Sequence, residues 1–187
     1  MSHYQLLREH VLSPPILGYD PARTARKQVP AILRDLARSG AMRDFNLDLG
    51  GGPWDLGSEF LLGLGCFNLI LDPYARTSNH NRTGLDVLDL ACPDGVPTVT
   101  VGNVLNVLAE PDARRLVVRQ AFEALKPGGV AFFLIHEGDR SGRGGPTRDG
   151  WQANLPTAHY LTLITPVFGS VGGRRGRRSL HARKPTR

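Results

Sequence analysis

Cysteine is nearly absent from this sequence: only Cys66 and Cys92 occur in 187 residues. They lie far from any CxxC spacing, so a redox or thiolate metal motif is set aside and both read as buried, reduced thiols. No apolar run approaches the roughly 18 to 20 residues that cross a bilayer. The N-terminus lacks the apolar stretch and small-residue cleavage site of a secretory signal, so a cytoplasmic protein with no membrane partner is expected. The six histidines show no HxxxH-type spacing, so no metal is expected. Internal repeats and long linkers are missing too. The length suits one domain spanning residues 1–187, with residues 1–40 as an N-terminal helical segment packing on it.

Charge is abundant but uneven. The net charge of +6 owes much to Arg174, Arg175, Arg177, Arg178, Arg183, Lys184 and Arg187, which crowd one end. Such a tail can neutralise phosphates through counterion release, which keeps nucleic acid open as a partner. It is equally a solvated hairpin, because arginines on an edge strand suppress aggregation. No aromatic side chains interleave with these charges as in a stacking platform.

Apolar runs alternate with helical patterns, as in a parallel sheet built from strand-helix-strand units. A helix is expected over residues 24–39, where Val29, Ile32, Leu33 and Leu36 recur at helical spacing before Gly40. Phe45–Leu49 reads as a short buried strand entering the sharp turn Gly50-Gly51-Gly52-Pro53. A helix over Leu56–Leu64 and a strand over Phe67–Leu71 follow, the strand stopped by Asp72-Pro73. Residues 76–97 give no clear pattern. Pro97–Val101 reads as a β-branched strand and Pro111–Lys126 as a helix, with Leu116, Val117, Ala121, Phe122 and Leu125 inward and Arg114, Arg115 and Arg119 outward. After Pro127-Gly128-Gly129, Val130–Ile135 is an apolar strand of the doubly buried kind. Tyr160–Phe168 and Ser179–Arg183 read as the strands of a closing antiparallel hairpin.

The turn after the first strand brings small residues, and hence backbone amides, to the start of a helix, where a ligand can approach closely. Asp72 stands 24 residues beyond Asp48 at the end of the next strand, where a carboxylate can accept ribose hydroxyls. Leu47-Asp48-Leu49-Gly50-Gly51-Gly52-Pro53, Leu71-Asp72-Pro73 and Ala124-Leu125-Lys126-Pro127-Gly128-Gly129 together resemble the signature series of class I S-adenosylmethionine-dependent methyltransferases. The turn lacks the last glycine of GxGxxG, which disfavours a nicotinamide site. The resemblance implies an α/β fold, a Rossmann-like three-layer sandwich whose sheet is mostly parallel with a C-terminal antiparallel hairpin.

It also implies S-adenosylmethionine as cofactor, with S-adenosylhomocysteine as product. Asp48, Gly50, Gly51 and Gly52 would line its methionine part, Asp72 and Pro73 its ribose, and Asn103 and Val104 the transferring methyl and the adenine edge. No clear acid follows a third strand, where the family often contacts the adenine amine, and Asp86, Asp89 and Asp94 all stand as candidates. The acceptor should approach Asn103, Asn106 and the loop from His136-Glu137, whose imidazole or carboxylate could take a proton. Gly102-Asn103-Val104-Leu105-Asn106 replaces the NPPY-type motif of base-modifying relatives, which favours a small-molecule acceptor. Two alternatives stay open: transfer or cyclisation of the aminocarboxypropyl group on the same fold, and a nucleic-acid-binding or interaction module using the basic C-terminus.

Overall fold

Strands β1 (Phe45–Leu49) and β2 (Phe67–Leu71) occupy the expected residues. In the computed structural model, which describes residues 3–21, 26–148, 150–173 and 178–186, they pair in parallel with β3 (Val96–Gly102) and β4 (Leu125–Leu134) in the order β2-β1-β3-β4. The sheet continues into antiparallel β8 (Ser179–Arg183) and β7 (Gly172–Gly173). The architecture is the expected Rossmann-like one, a mostly parallel sheet ending in an antiparallel pair. Four of the clustered basic residues, Arg174, Arg175, Arg177 and Arg187, lie outside the described residues.

Parallel strands need crossovers, and these set the layers. Helices α2 (Ala31–Arg38) and α3 (Leu56–Leu62) cover one face, where Ile32, Leu33 and Leu61 pack with Phe132 and Leu134. The other face holds the larger core: Leu47, Leu71, Val99, Val101 and Phe133 meet helices α1 (Gln5–Leu12), α4 (Ser78–Ala91), α5 (Pro111–Ala124) and α6 (Leu161–Phe168). A separate hairpin, β5 (Gly145–Thr147) with β6 (Gly150–Gln152), follows β4. No described helix is long and apolar enough to cross a membrane.

Several expectations need correction. The helix expected over 24–39 covers Ala31–Arg38 only: Thr24 and Ala25 lie outside the described residues, residues 26–30 are not helical, and Pro30 disfavours helical geometry in the residue before it. The patternless stretch contains α4, started by Thr77, whose hydroxyl accepts from the His80 amide at 3.1 Å. Tyr160–Phe168 is not a strand. Tyr160, Ile164 and Phe168 are its buried residues, four apart, so one helical face seats in the core while Thr162 and Thr165 face outward. Arg114 is buried, not outward; its guanidinium donates to the Leu108 and Ala109 carbonyls at 2.7 and 3.2 Å.

The first residues of β4, Leu125 to Gly129, bulge where the β3/β4 register shifts. Lys184 ties them down, donating to the carbonyls of Leu125 at 2.7 Å and Glu123 at 3.3 Å, and Arg183 donates to the Gly128 carbonyl at 2.6 Å. These two basic residues therefore serve the fold.

The helical reading of Leu161–Phe168 makes a sharp distinction between neighbours. Ile164→Ala is expected to lower unfolding free energy by about 3 kcal/mol, and Thr165→Ala to stay within about 0.5 kcal/mol of the wild type in urea titrations. Equal losses at both positions would contradict the assignment.

Candidate active site

The chain leaves β1 for β2 on one side and returns to β3 on the other, so the sheet has a switch point between β1 and β3. Open α/β sheets bind ligands outside the carboxyl ends of their strands at such a point. A cavity of about 560 Å³ lies there, lined by Asp48 to Gly52 after β1, Leu71 to Tyr74 after β2, Gly102 to Val104 after β3, and His136 after β4.

The glycine turn is shaped by close approach. Gly50 and Gly52 have φ of +71° and +79°, in the left-handed region that glycine alone enters freely. A Cβ on Gly50 would lie 2.5 Å from a Val104 methyl, and one on Gly51 would lie 2.6 Å from Asp48 Oδ2. The turn therefore presses on the Asp48 carboxylate and on the β3 loop. Arg76 holds it, donating from Nε to the Gly52 carbonyl at 2.7 Å and pairing with Asp55 at 2.8 Å.

Asp48 is 2% exposed and makes no ion pair among the described residues. Burial pushes its carboxyl up to about 6; the Thr100 hydroxyl pulls it down, Asp72 raises it and Arg76 lowers it. Thr100 donates to Asp48 Oδ1 at 2.8 Å while accepting from Asn46 Nδ2 at 2.9 Å. Asn46 also donates to Asn68 Oδ1 at 2.6 Å, and Asn68 to Ser58 Oγ at 3.0 Å. A polar line thus crosses three strands inside the sheet and ends on Asp48.

Asp72 follows β2 in the cavity wall, and both its oxygens are engaged. Oδ2 accepts from the Gly52 amide at 2.9 Å, and Oδ1 accepts from the amides of Tyr74 and Ala75 at 3.0 and 2.9 Å. Asn81 braces its backbone with two further bonds. The carboxylate locks the glycine turn to the β2 loop and keeps a free lone pair on Oδ2 for a ligand. Pro73 lines the cavity beside it.

Asn103 projects at the rim, with φ +59° and its amide bonded to the Leu134 carbonyl at 2.8 Å. Asn106 also lines the cavity, yet its amide is spent on the fold: Nδ2 donates to Gln152 at 3.2 Å and Oδ1 accepts from the His136 amide at 3.3 Å. The His136 ring stands exposed at the rim. Glu137, expected beside the acceptor as a proton acceptor, faces elsewhere. It is buried outside the cavity lining, with Oε1 accepting from the Thr157 amide at 2.7 Å and Oε2 from Arg140 Nε at 2.6 Å. The Thr157 amide is the main cause of its carboxyl being held at about 2, and Arg140 adds to it against the effect of burial. Both oxygens are occupied, so Glu137 is a brace for its loop and a poor base.

Thr100, Asn46, Asn68 and Arg76 escaped the sequence reading. For Asn46, Asn68 and Thr100 the one signal was a polar residue inside a strand read as buried; Arg76, in the bend after β2, had none. Among the residues lining the cavity, Trp151 stacks on the Tyr19 ring at 6.2 Å, and Tyr74 Oη donates to the Pro15 carbonyl at 3.1 Å.

No protein-family model and no curated protein matches the chain. Solved structures do. The Burkholderia thailandensis 1,6-didemethyltoxoflavin-N1-methyltransferase, solved with 1,6-didemethyltoxoflavin and S-adenosylhomocysteine, is similar with a TM-score of 0.62 and 16% identity, over 96% of this chain and 88% of that one. An S-adenosylmethionine-dependent methyltransferase from Clostridium acetobutylicum covers 97% of both chains at a TM-score of 0.53 and 9% identity. An amino pentose methyltransferase of calicheamicin biosynthesis from Micromonospora echinaspora gives 0.50 and 14%, over 82% of this chain and 88% of that one. At such identities the likeness is one of fold.

The buried carboxylate gives a pH signature. Its folded value lies above the unfolded value of about 3.9, so the folded state holds the extra proton and loses stability as pH rises from about 4 to 6. The loss should amount to about 2 to 3 kcal/mol. Glu137 acts oppositely and lower, contributing stability that is lost as pH falls from about 4.3 toward 2. Asp48→Asn is expected to abolish the fall between pH 4 and 6 and to be the more stable protein at pH 7 in urea unfolding. A wild type with flat stability over that window would contradict the assignment.

Proposed function

We propose that this protein is an S-adenosylmethionine-dependent methyltransferase acting on a small molecule. The observation that carries the reading is the cavity itself: a glycine turn packed against Val104, with the uncompensated Asp48 and the partly free Asp72 on its wall. The donor is cationic at sulfur and at its amino group, which matches a buried carboxylate with no ion pair among the described residues. When bound, it supplies an already activated methyl group, so positioning can provide most of the acceleration.

Asp48 offers a countercharge, and the Gly50–Gly52 backbone allows the methionine part to lie close. Asp72 offers its remaining lone pair, one acceptor for the ribose. This is less than a free carboxylate would give, and the Gly52 amide is released if the side chain turns fully to a ligand. Asn103 and Val104 border the space between donor and acceptor, and the His136 ring at the rim is the side chain placed to take a proton from an acceptor hydroxyl or amine. Asn106 holds that loop in place.

The cavity volume falls among small-molecule sites, which run from roughly 300 to 1,000 Å³.

Calorimetric titration with S-adenosylmethionine and S-adenosylhomocysteine, beside NAD at equal ionic strength, tests the reading. Binding of the first two alone is expected. Gly50→Val, which drives a side chain into Val104 and strains a left-handed residue, should weaken both by more than roughly tenfold while the domain stays folded. NAD binding, or no binding of either sulfur compound, would overturn it.

A further inference from the structure

If the cavity takes S-adenosylmethionine, its adenine needs an edge contact, and the three candidate acids do not supply one. Asp86 and Asp89 lie on α4 and pair with Arg8 at 3.3 and 2.8 Å. Asp94 lies in the turn before β3, at the opposite end of the sheet. None of the three lines the cavity. The reason is topological: among the described residues no strand lies outside β2, and α4 carries the chain directly from this edge to β3.

The cavity instead extends between α1 and α5, where Val11, Leu108, Leu116 and Val117 give it apolar walls and His10 and Gln120 are polar. Gln120 is 7% exposed, lines the cavity and makes no side-chain hydrogen bond among the described residues. Its amide is not among the fully buried unpartnered atoms, so it opens onto the cavity and offers a donor and an acceptor to a ligand there. His10 is half-committed: Nδ1 lies 2.9 Å from the Leu6 carbonyl, and in the tautomer that donates this bond Nε2 is an acceptor on a residue that lines the same cavity.

Apolar walls suit the faces of a planar ring. The edge on offer is one amide, a donor beside an acceptor whichever way it is turned, plus one imidazole acceptor. Its complement is a ring nitrogen next to an exocyclic amine with two hydrogens, which is the amino edge of adenine. An amide side chain meets adenine in this bidentate way when proteins read the base in DNA.

We propose that Gln120 and His10 recognise the adenine base of the cofactor. The Gln120 amide donates to a ring nitrogen and accepts one amine hydrogen, and His10 Nε2 accepts the other. A side chain from each of two helices thus does what an acid after a third strand would do. The proposal rests on the cofactor reading above. The same edge could instead serve an amino-heterocyclic acceptor.

Calorimetric affinities for S-adenosylhomocysteine and S-inosylhomocysteine separate these sources, because the inosine base replaces the amine by a carbonyl that would face His10 Nε2. The wild type is expected to prefer the adenine compound by about tenfold or more, the effect of leaving buried polar groups unpaired. Gln120→Met, close in size but without the amide, should lose about tenfold in S-adenosylhomocysteine affinity and most of the preference. Gln120→Leu should do the same, with thermal unfolding confirming that both variants fold. Unchanged affinity and preference in both would overturn the proposal and leave the slot to the acceptor. Failure of the wild type to bind S-adenosylhomocysteine at all would instead overturn the cofactor reading.

Discussion

A carboxylate taken out of water, with no ion pair among the described residues, is the constraint around which this site is arranged. Asp48, next to last in β1, lies on the sheet face that carries Asn46, Asn68 and Thr100, and the Thr100 hydroxyl is the hydrogen-bond donor that reaches it. Burial raises its proton affinity until it titrates near 6, so ionising it at neutral pH works against folding. Strongly perturbed carboxyl groups cluster at functional sites, and this one stands in the wall of the cavity. Its neighbours obey the same constraint: Gly51 can carry no Cβ because Asp48 Oδ2 occupies the space, and Gly50 can carry none because of Val104.

From that carboxylate the rest of the site follows by connection. Asp72 bonds the Gly52 amide, Arg76 bonds the Gly52 carbonyl, and Asn81 braces Asp72, so the turn after β1 and the loop after β2 form one rigid unit. The loops after β3 and β4 are joined in the same way, through Asn106, Gln152 and the His136 backbone. The two units face each other across the cavity, one with acidic side chains and backbone amides, the other with the rim residues Asn103 and His136. Preorganisation of this kind suits a reaction that depends on alignment more than on a nucleophile.

How much was legible beforehand depended on the distance over which each feature is determined. β1 and β2 were read to the residue because a short apolar run ending in a glycine turn or in Asp-Pro is a local signal. The glycine turn and Asp72 were legible for the same reason. α4 was not, since Leu85 and Leu88 are its only large buried apolar residues and its other buried positions are Asn81 and Gly84. Tyr160–Phe168 looked like a strand because it is almost continuously apolar and partly β-branched. The period of four between its buried residues decides for helix, but tertiary packing is what reveals which residues those are. Thr100, Gln120 and His10 acquire their meaning only when separate elements meet, and no spacing along the chain announces that. Glu137 was misjudged because a charged loop was read as facing the acceptor, whereas the Thr157 amide and Arg140 turn it inward.

The most direct test of the account is the proton linkage of cofactor binding. Calorimetric titration with S-adenosylhomocysteine between pH 5 and pH 8, repeated in buffers of different ionisation enthalpy, reads both affinity and protons exchanged. If Asp48 is the countercharge for the ligand's ammonium group, affinity weakens below about pH 6, close to one proton is released on binding near pH 5, and Asp48→Asn shows neither effect. An affinity independent of pH, with no proton released, would contradict the place given to Asp48 and with it the reading of the cavity.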